Sequence, residues 1–163
     1  MDKPADAKDD TALRSPLGTD EQLEFGSLAS AVGFHLRLAQ NASFKAFKRH
    51  TGETDLRPGW YAVLTLIHHN PGITPITLSR ASGRDKSTIT PVLRDLLRDG
   101  LVRRSAIPSD RRSYALFLTP DGEEKLAMLA KSAAAHDTEL DAIVGERKDE
   151  LIQALRRIVT LLD

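Results

Sequence analysis

From residue 27 onward, apolar side chains recur at three- and four-residue steps, the period of an amphipathic helix. Leu28, Val32, His35, Leu36, Ala39 and Ser43 share one face and predict a helix over 27–50 that ends near Gly52. Asp55, Leu56 and Arg57 open a second helix with Pro58 in its first turn, where a missing N–H does no harm. Trp60, Val63, Leu64 and Ile67 form its apolar stripe, and Asn70-Pro71-Gly72 stops it. Thr74-Pro75 is a hydroxyl cap followed by a first-turn proline, the start of a short helix carrying Ile76, Leu78 and Ala81. Ser82-Gly83 breaks that helix. Asp85 caps a fourth, with Ile89, Val92, Leu93, Leu96 and Leu97 directed inward and Asp99-Gly100 closing it.

Beyond Gly100 the period changes. Residues 101–106 and 113–118 are strand-like, and the polar stretch 107–112 between them predicts a hairpin tip. Thr119-Pro120 then starts a long helix to about Val144, with Leu126, Leu129, Ala130, Ala133 and Leu140 as its ladder. Gly145 interrupts, and a last helix carries Leu151, Ile152, Leu155, Ile158, Val159 and Leu162. Its six aliphatics find too little else in the chain to cover them. Residues 1–22 hold few large apolar side chains and are expected to form a disordered arm. The fold class is therefore mainly α with one hairpin, an α+β winged helix.

Composition removes several chemistries. The chain has no cysteine, which excludes disulfides, thiolate metal sites, a cysteine nucleophile and a thiol-based peroxide sensor. No apolar run approaches the roughly 18 residues that span a bilayer. The start, Met1-Asp2-Lys3-Pro4, lacks the basic and apolar regions of a signal peptide, so a soluble cytoplasmic protein is expected. The formal net charge is zero, yet residues 72–118 carry +5 and residues 27–71 carry +3, between ends of −4 each. A basic middle suits a polyanion.

A short helix, a tight turn, a second helix and a hairpin make a winged helix-turn-helix, whose second helix fits the roughly 12 Å major groove. Its outward positions are Lys86, Ser87, Thr88, Thr90, Pro91 and Arg94. Small hydroxyls permit close approach to base edges, and Lys86 and Arg94 suit phosphate or guanine. A merely solvated helix face is the plainer alternative, against which the flanking strands and charged tip weigh. An enzyme is not expected: no catalytic residues are assigned, because the acids are scattered and no nucleophile–base pair or phosphate-cradling loop occurs.

The run Leu78-Ser79-Arg80-Ala81-Ser82-Gly83-Arg84-Asp85-Lys86-Ser87-Thr88-Ile89-Thr90, then Leu93, Leu96 and Gly100-Leu101-Val102-Arg103-Arg104, resembles the multiple-antibiotic-resistance regulator (MarR) family. Asp110-Arg111-Arg112-Ser113, followed by Leu116, Leu118, Thr119 and Gly122, is similar to that family's wing and next helix start. The resemblance covers about residues 27–163. It implies a homodimeric, nucleoid-associated regulator, usually a repressor, bound to a palindromic operator. Residues 56–118 would be the winged lobe, within a domain of 23–163. The helices over 27–50 and 120–162 would form a dimerisation lobe. The family's motif carries the minor-groove arginine onto Arg112 and the acid that orients it onto Asp110, while Arg111 is assigned to phosphate. One departure is Pro91, where many relatives have arginine; it deletes a backbone bond to Ser87 inside the recognition helix.

The resemblance also implies release from DNA by a small aromatic acid. The pocket would include Phe34, His35, Leu38, Trp60, Tyr61 and Leu64, with Arg37 or Arg57 for the carboxylate. Core packing is the plain alternative for Trp60 and Phe34, as a satisfied core histidine is for His35. Arg57-Pro58-Gly59-Trp60-Tyr61 looks similar to members that act in aromatic-acid catabolism. A coenzyme A thioester is a second effector class, with Lys45, Lys48 and Arg49 as added cations. A zinc-responsive regulator of the same fold is the alternative function. Against it, His68 and His69 are adjacent and point about 100° apart on a helix, and no metal ligands or cofactor are assigned.

Overall fold

The computed structural model describes residues 23–51, 59–108 and 110–162, without the side chains of 110–112. The expected arm over 1–22 and the expected helix opening around Asp55, Arg57 and Pro58 lie outside the described residues. Among the described residues the elements run α1 (Val32–Thr51), α2 (Trp60–His69), α3 (Pro75–Ala81), α4 (Lys86–Arg98), β1 (Val102–Ile107), β2 (Asp110–Leu118), α5 (Pro120–Val144) and α6 (Lys148–Leu162).

Three helix starts follow directly from local chemistry. Thr74 Oγ1 accepts the Thr77 amide at 3.3 Å, the Asp85 carboxylate accepts the Thr88 amide at 2.7 Å, and Thr119 Oγ1 accepts the Gly122 amide at 3.1 Å. Each cap satisfies a donor that the first turn of a helix leaves unpaired. Two expected starts are corrected. The helix over 27–50 is a 3-10 turn, Gly26–Ser30, then Ala31 with an extended ψ of 111°, then α1; Ala31's backbone cannot continue a helix. The second helix begins only at Trp60, because Gly59 has φ 91° and a left-handed residue cannot lie inside a right-handed helix. The Arg84 guanidinium packs onto Gly59 where a β-carbon would stand.

Two compact units divide the chain, residues 1–39 and 40–163. In the described part of the first, the Phe25 and Phe34 rings lie 5.7 Å apart, and His35 Nε2 donates to the Ala29 carbonyl at 2.8 Å. Along α1 only Ala46 is buried, so most of the predicted apolar face of this helix is exposed or half-buried. In the second unit, Val63, Leu64 and Ile67 of α2 meet Leu78 of α3, Leu96 of α4 and Leu116 of β2 in the core. Trp60, Ile89, Leu93, Val102 and Leu129 complete it. Fully burying such aliphatics contributes about 1.5–3 kcal/mol each. Ile76 and Ala81 do not join them: Ile76 is 64% exposed, because a seven-residue helix turns only one side chain, Leu78, fully inward.

The hairpin is longer than its hydropathy suggests. β1 and β2 pair antiparallel from Val102 opposite Leu118 to Ala106 opposite Tyr114, after which the register shifts and Ile107 faces Asp110. Most of the expected tip, 107–112, is strand. Backbone pairing across two strands needs no apolar alternation, so the pattern there understated it. Ile73 adds a bridge to Leu116, with bonds of 2.8 Å from the Gly72 amide and 3.0 Å to the Ile73 carbonyl.

α5 contributes Leu129, Ala133 and His136 to the interior. A short 3-10 turn, Gly145–Arg147, precedes α6, which buries no residue and leaves Leu151, Val159, Leu161 and Leu162 exposed.

Candidate nucleic-acid interface

Burial of Ile89, Leu93 and Leu96 orients α4; Asp95, also buried, pairs with Arg98, Nη1 to Oδ1 at 3.2 Å. The opposite face is then obliged to point outward. Lys86, Ser87, Thr88, Thr90, Pro91 and Arg94 are all exposed and lie on this one helix. Pro91 sits inside α4 without ending it: the helix continues from Lys86 to Arg98.

Two hydroxyls on this face are already engaged as donors. Ser87 Oγ donates to Asp85 Oδ1 at 2.6 Å, and Thr90 Oγ1 donates to the Lys86 carbonyl at 2.6 Å. Their lone pairs remain outward, so they suit base amino groups as acceptors. The Ser87 hydroxyl, then the Thr88 amide, hold the Asp85 carboxyl below the usual carboxylate range. The resulting negative charge complements the positive end of the α4 dipole.

Between α3, α4 and the hairpin runs a groove of about 1100 Å³. Its cations are Arg80, Lys86, Arg94, Arg98, Arg103 and Arg104, over apolar contributions from Ile76, Leu97 and Val102. The Arg103 guanidinium lies 4.4 Å from the centre of the Phe117 ring and that of Arg104 5.9 Å from Tyr114. Stacking on an aromatic face holds each cation on the hairpin without neutralising it. Arg80 was not singled out from the sequence; its place in the last turn of α3, one turn before the cap of α4, is the signal available for it. Asp110 to Arg112 belong to β2, but the expected Asp110–Arg112 pairing lies outside the described side chains.

The remaining expected sites are placed as follows. Trp60 is core, with Nε1 buried and lacking a partner among the described residues. Tyr61 is half-buried, its ring 6.1 Å from Phe47. Arg37 is exposed, His35 is bonded to Ala29 as above, and Arg57 lies outside the described residues. His68 Nδ1 pairs with Glu123 at 2.8 Å beside the His69 ring. His68, His69 and Glu123 do not converge as a set of three ligands; among the described residues His50, His136 and Glu139 do. The sequence reading missed that group because His50 and His136 are far apart along the chain. The spacing of His136 and Glu139, three apart on one helical face, was its only local trace.

Comparison with known proteins bears on the same elements. The MarR family model matches residues 56–114. A putative transcriptional regulatory protein for the hcr operon of Thauera aromatica is 36% identical over 139 residues, 84% of each chain. The transcriptional repressor CouR, solved on a 23-mer DNA duplex, is 31% identical with a TM-score of 0.76, over 85% of this chain and 99% of CouR. CouR has also been solved bound to p-coumaroyl-CoA. The PcaV transcriptional regulator of Streptomyces coelicolor, in complex with its natural ligand, is 28% identical with a TM-score of 0.73, over 82% and 94%. The capped α4, the cationic groove beside it and these likenesses converge: the chain belongs to the MarR family and is a DNA-binding transcriptional regulator of winged-helix fold, not an enzyme.

Proposed function

We propose that this regulator is a repressor that binds a palindromic operator as a homodimer and leaves it when a small aromatic acid, or its coenzyme A thioester, binds. The observation that carries the reading is the exposed α4 face flanked by a groove with six cationic side chains. Residues 56–118 act as the DNA-binding lobe. Lys86, Ser87, Thr88, Thr90, Pro91 and Arg94 face the major groove. Arg112 enters the minor groove, oriented by Asp110 through a charge-assisted bond, and Arg111 meets phosphate.

The helices over 27–50 and 120–162 serve dimerisation. The apolar residues that α6 leaves uncovered support this: a contiguous exposed apolar stripe marks an interface, and a two-fold contact covers it from both sides. Such a contact also sets two recognition helices about one turn of DNA apart. The effector is assigned to His35, Arg37, Arg57, Trp60 and Tyr61. Support comes from the CoA-thioester complex of CouR, the ligand complex of PcaV, and the unused indole N–H of Trp60.

The test is an operator duplex selected by the protein from random sequence, titrated with the protein and then with aromatic acids and their thioesters. Saturable binding that falls steeply with salt, by a slope of roughly 0.9 per phosphate contact, and release by one ligand class are expected. Salt-independent binding ends the DNA reading; retention through the whole panel ends the effector reading.

A further inference from the structure

We propose that His50, His136 and Glu139 form a binding site for a zinc-type divalent transition-metal ion, which joins the end of α1 to the middle of α5. One ligand atom from each of the three lies within 4.8 Å of the others. His50 Nε2 and Glu139 Oε2 are already 2.9 Å apart. A tetrahedral ion with bonds of about 2.1 Å holds its ligands about 3.4 Å from one another. His50 Nε2 and Glu139 Oε2 must therefore part by about 0.5 Å, while the longer separations, up to 4.8 Å, close by on the order of 1 Å. His50 and Glu139 are exposed and can turn, while His136 is the fixed member.

His136 is the second observation. It is only 6% exposed, its Nε2 is held by Ser43 Oγ at 2.9 Å, and the Phe47 ring abuts it edge-on with centroids 5.8 Å apart. Its other nitrogen, Nδ1, is buried and has no hydrogen-bond partner among the described residues. A buried imidazole locked by a hydroxyl on one side and left unsatisfied on the other is how a metal-ligating histidine is prepared: the outer bond fixes the ring and its tautomer. An ordinary ion-pair clip between helices needs His50 and Glu139 alone and gives His136 no role.

The donor chemistry selects the ion. Two imidazoles and one carboxylate suit zinc with a fourth position open, whereas calcium and magnesium require oxygen-rich shells. Glu139 can serve the ion without losing its other contact, because Oε1 faces Arg49 Nη2 at 3.6 Å while Oε2 faces His50. Ser132 Oγ donates to the His50 carbonyl at 3.2 Å, which anchors the helix end that carries the ligand.

The experiment uses the full chain, stripped with a chelator and titrated with zinc alone against a chromophoric competitor. One ion per chain is expected, with a rise in melting temperature on binding. His50→Gln and Glu139→Gln, both at exposed positions, should each weaken zinc by at least about tenfold and abolish the thermal shift. His68→Gln, which alters the other His–Glu pair on α5, should bind as the wild type does. His136→Gln disturbs the interior, so the two exposed variants decide the matter. Absence of stoichiometric zinc binding, unchanged affinity in His50→Gln and Glu139→Gln, or equal weakening by His68→Gln overturns the site.

Discussion

Gly122 and Leu101 touch backbone to backbone: a β-carbon on Gly122 would overlap the Leu101 carbonyl oxygen. The same carbonyl accepts the Thr119 amide at 3.1 Å, and Thr119 Oγ1 donates to the Gly100 carbonyl at 2.7 Å while accepting the Gly122 amide. The turn that ends α4 is thereby bonded to the first turn of α5. Thr119 and Gly122, legible as parts of a family signature, are two parts of one junction.

That junction reverses the usual sign of a glycine replacement. Alanine in a helix ordinarily stabilises relative to glycine by roughly 0.5–1 kcal/mol. Gly122→Ala is expected to destabilise by about 1–3 kcal/mol, the range for overpacking against a neighbour that cannot move. Urea denaturation checks it: a midpoint equal to or above the wild type would deny the contact.

Asp85 sets a pH dependence. Its folded carboxyl is held below its ordinary value by the Ser87 hydroxyl and the Thr88 amide. The stabilisation is therefore complete above the ordinary value of about 3.9 and disappears as pH falls through the lower folded value. Asp85→Ala should melt below the wild type at pH 7, and the gap should narrow in acid below about pH 4. Asp85→Asn retains a cap and should show a weaker dependence on acid. Thermal melts from pH 7 to pH 3 on the three proteins read this, and a gap that widens in acid has the wrong sign.

The proposed wing contact separates a DNA reader from a merely cationic surface. Arg112→Ala should cost about 1–3 kcal/mol of operator binding, with a larger loss on A·T-rich flanks where the minor groove is narrow. Asp110→Ala should also weaken binding, although removing a negative charge near DNA would by Coulomb's law alone strengthen it. Titrating both variants and the double variant at one salt concentration decides; tighter binding by Asp110→Ala, or strict additivity, shows that Asp110 does not orient Arg112.

The uncovered face of α6 predicts the assembly. Leu155→Glu with Ile158→Glu should place charge in an apolar two-fold contact and leave monomers that no longer hold a palindrome. Sedimentation measures this directly, and persistence of the dimer would move the interface elsewhere.

Helix starts were readable because each depends on a few adjacent residues. Thr74 with Pro75, Asp85, and Thr119 with Pro120 form caps whose donors and acceptors lie within one turn. The stripe Val63, Leu64 and Ile67, like Ile89, Leu93 and Leu96, was readable because burying one helical face imposes a period on the residues. From these local rules came the winged order of elements and the exposed α4 face. Other features depend on partners distant in the chain. The break at Ala31 and the late start after Gly59 are backbone geometries that hydropathy does not encode. The length of the hairpin rests on hydrogen bonds across β1 and β2, which persist through a register shift between Ala106 and Ile107. The three ligands His50, His136 and Glu139 meet only because α1 and α5 bring them together, and Gly122 is required only because Leu101 lies against it. Capping and periodicity act within a turn or two, so residue order suffices to specify them; a meeting of distant residues exists only once the core has closed around Leu64, Leu96 and Leu116.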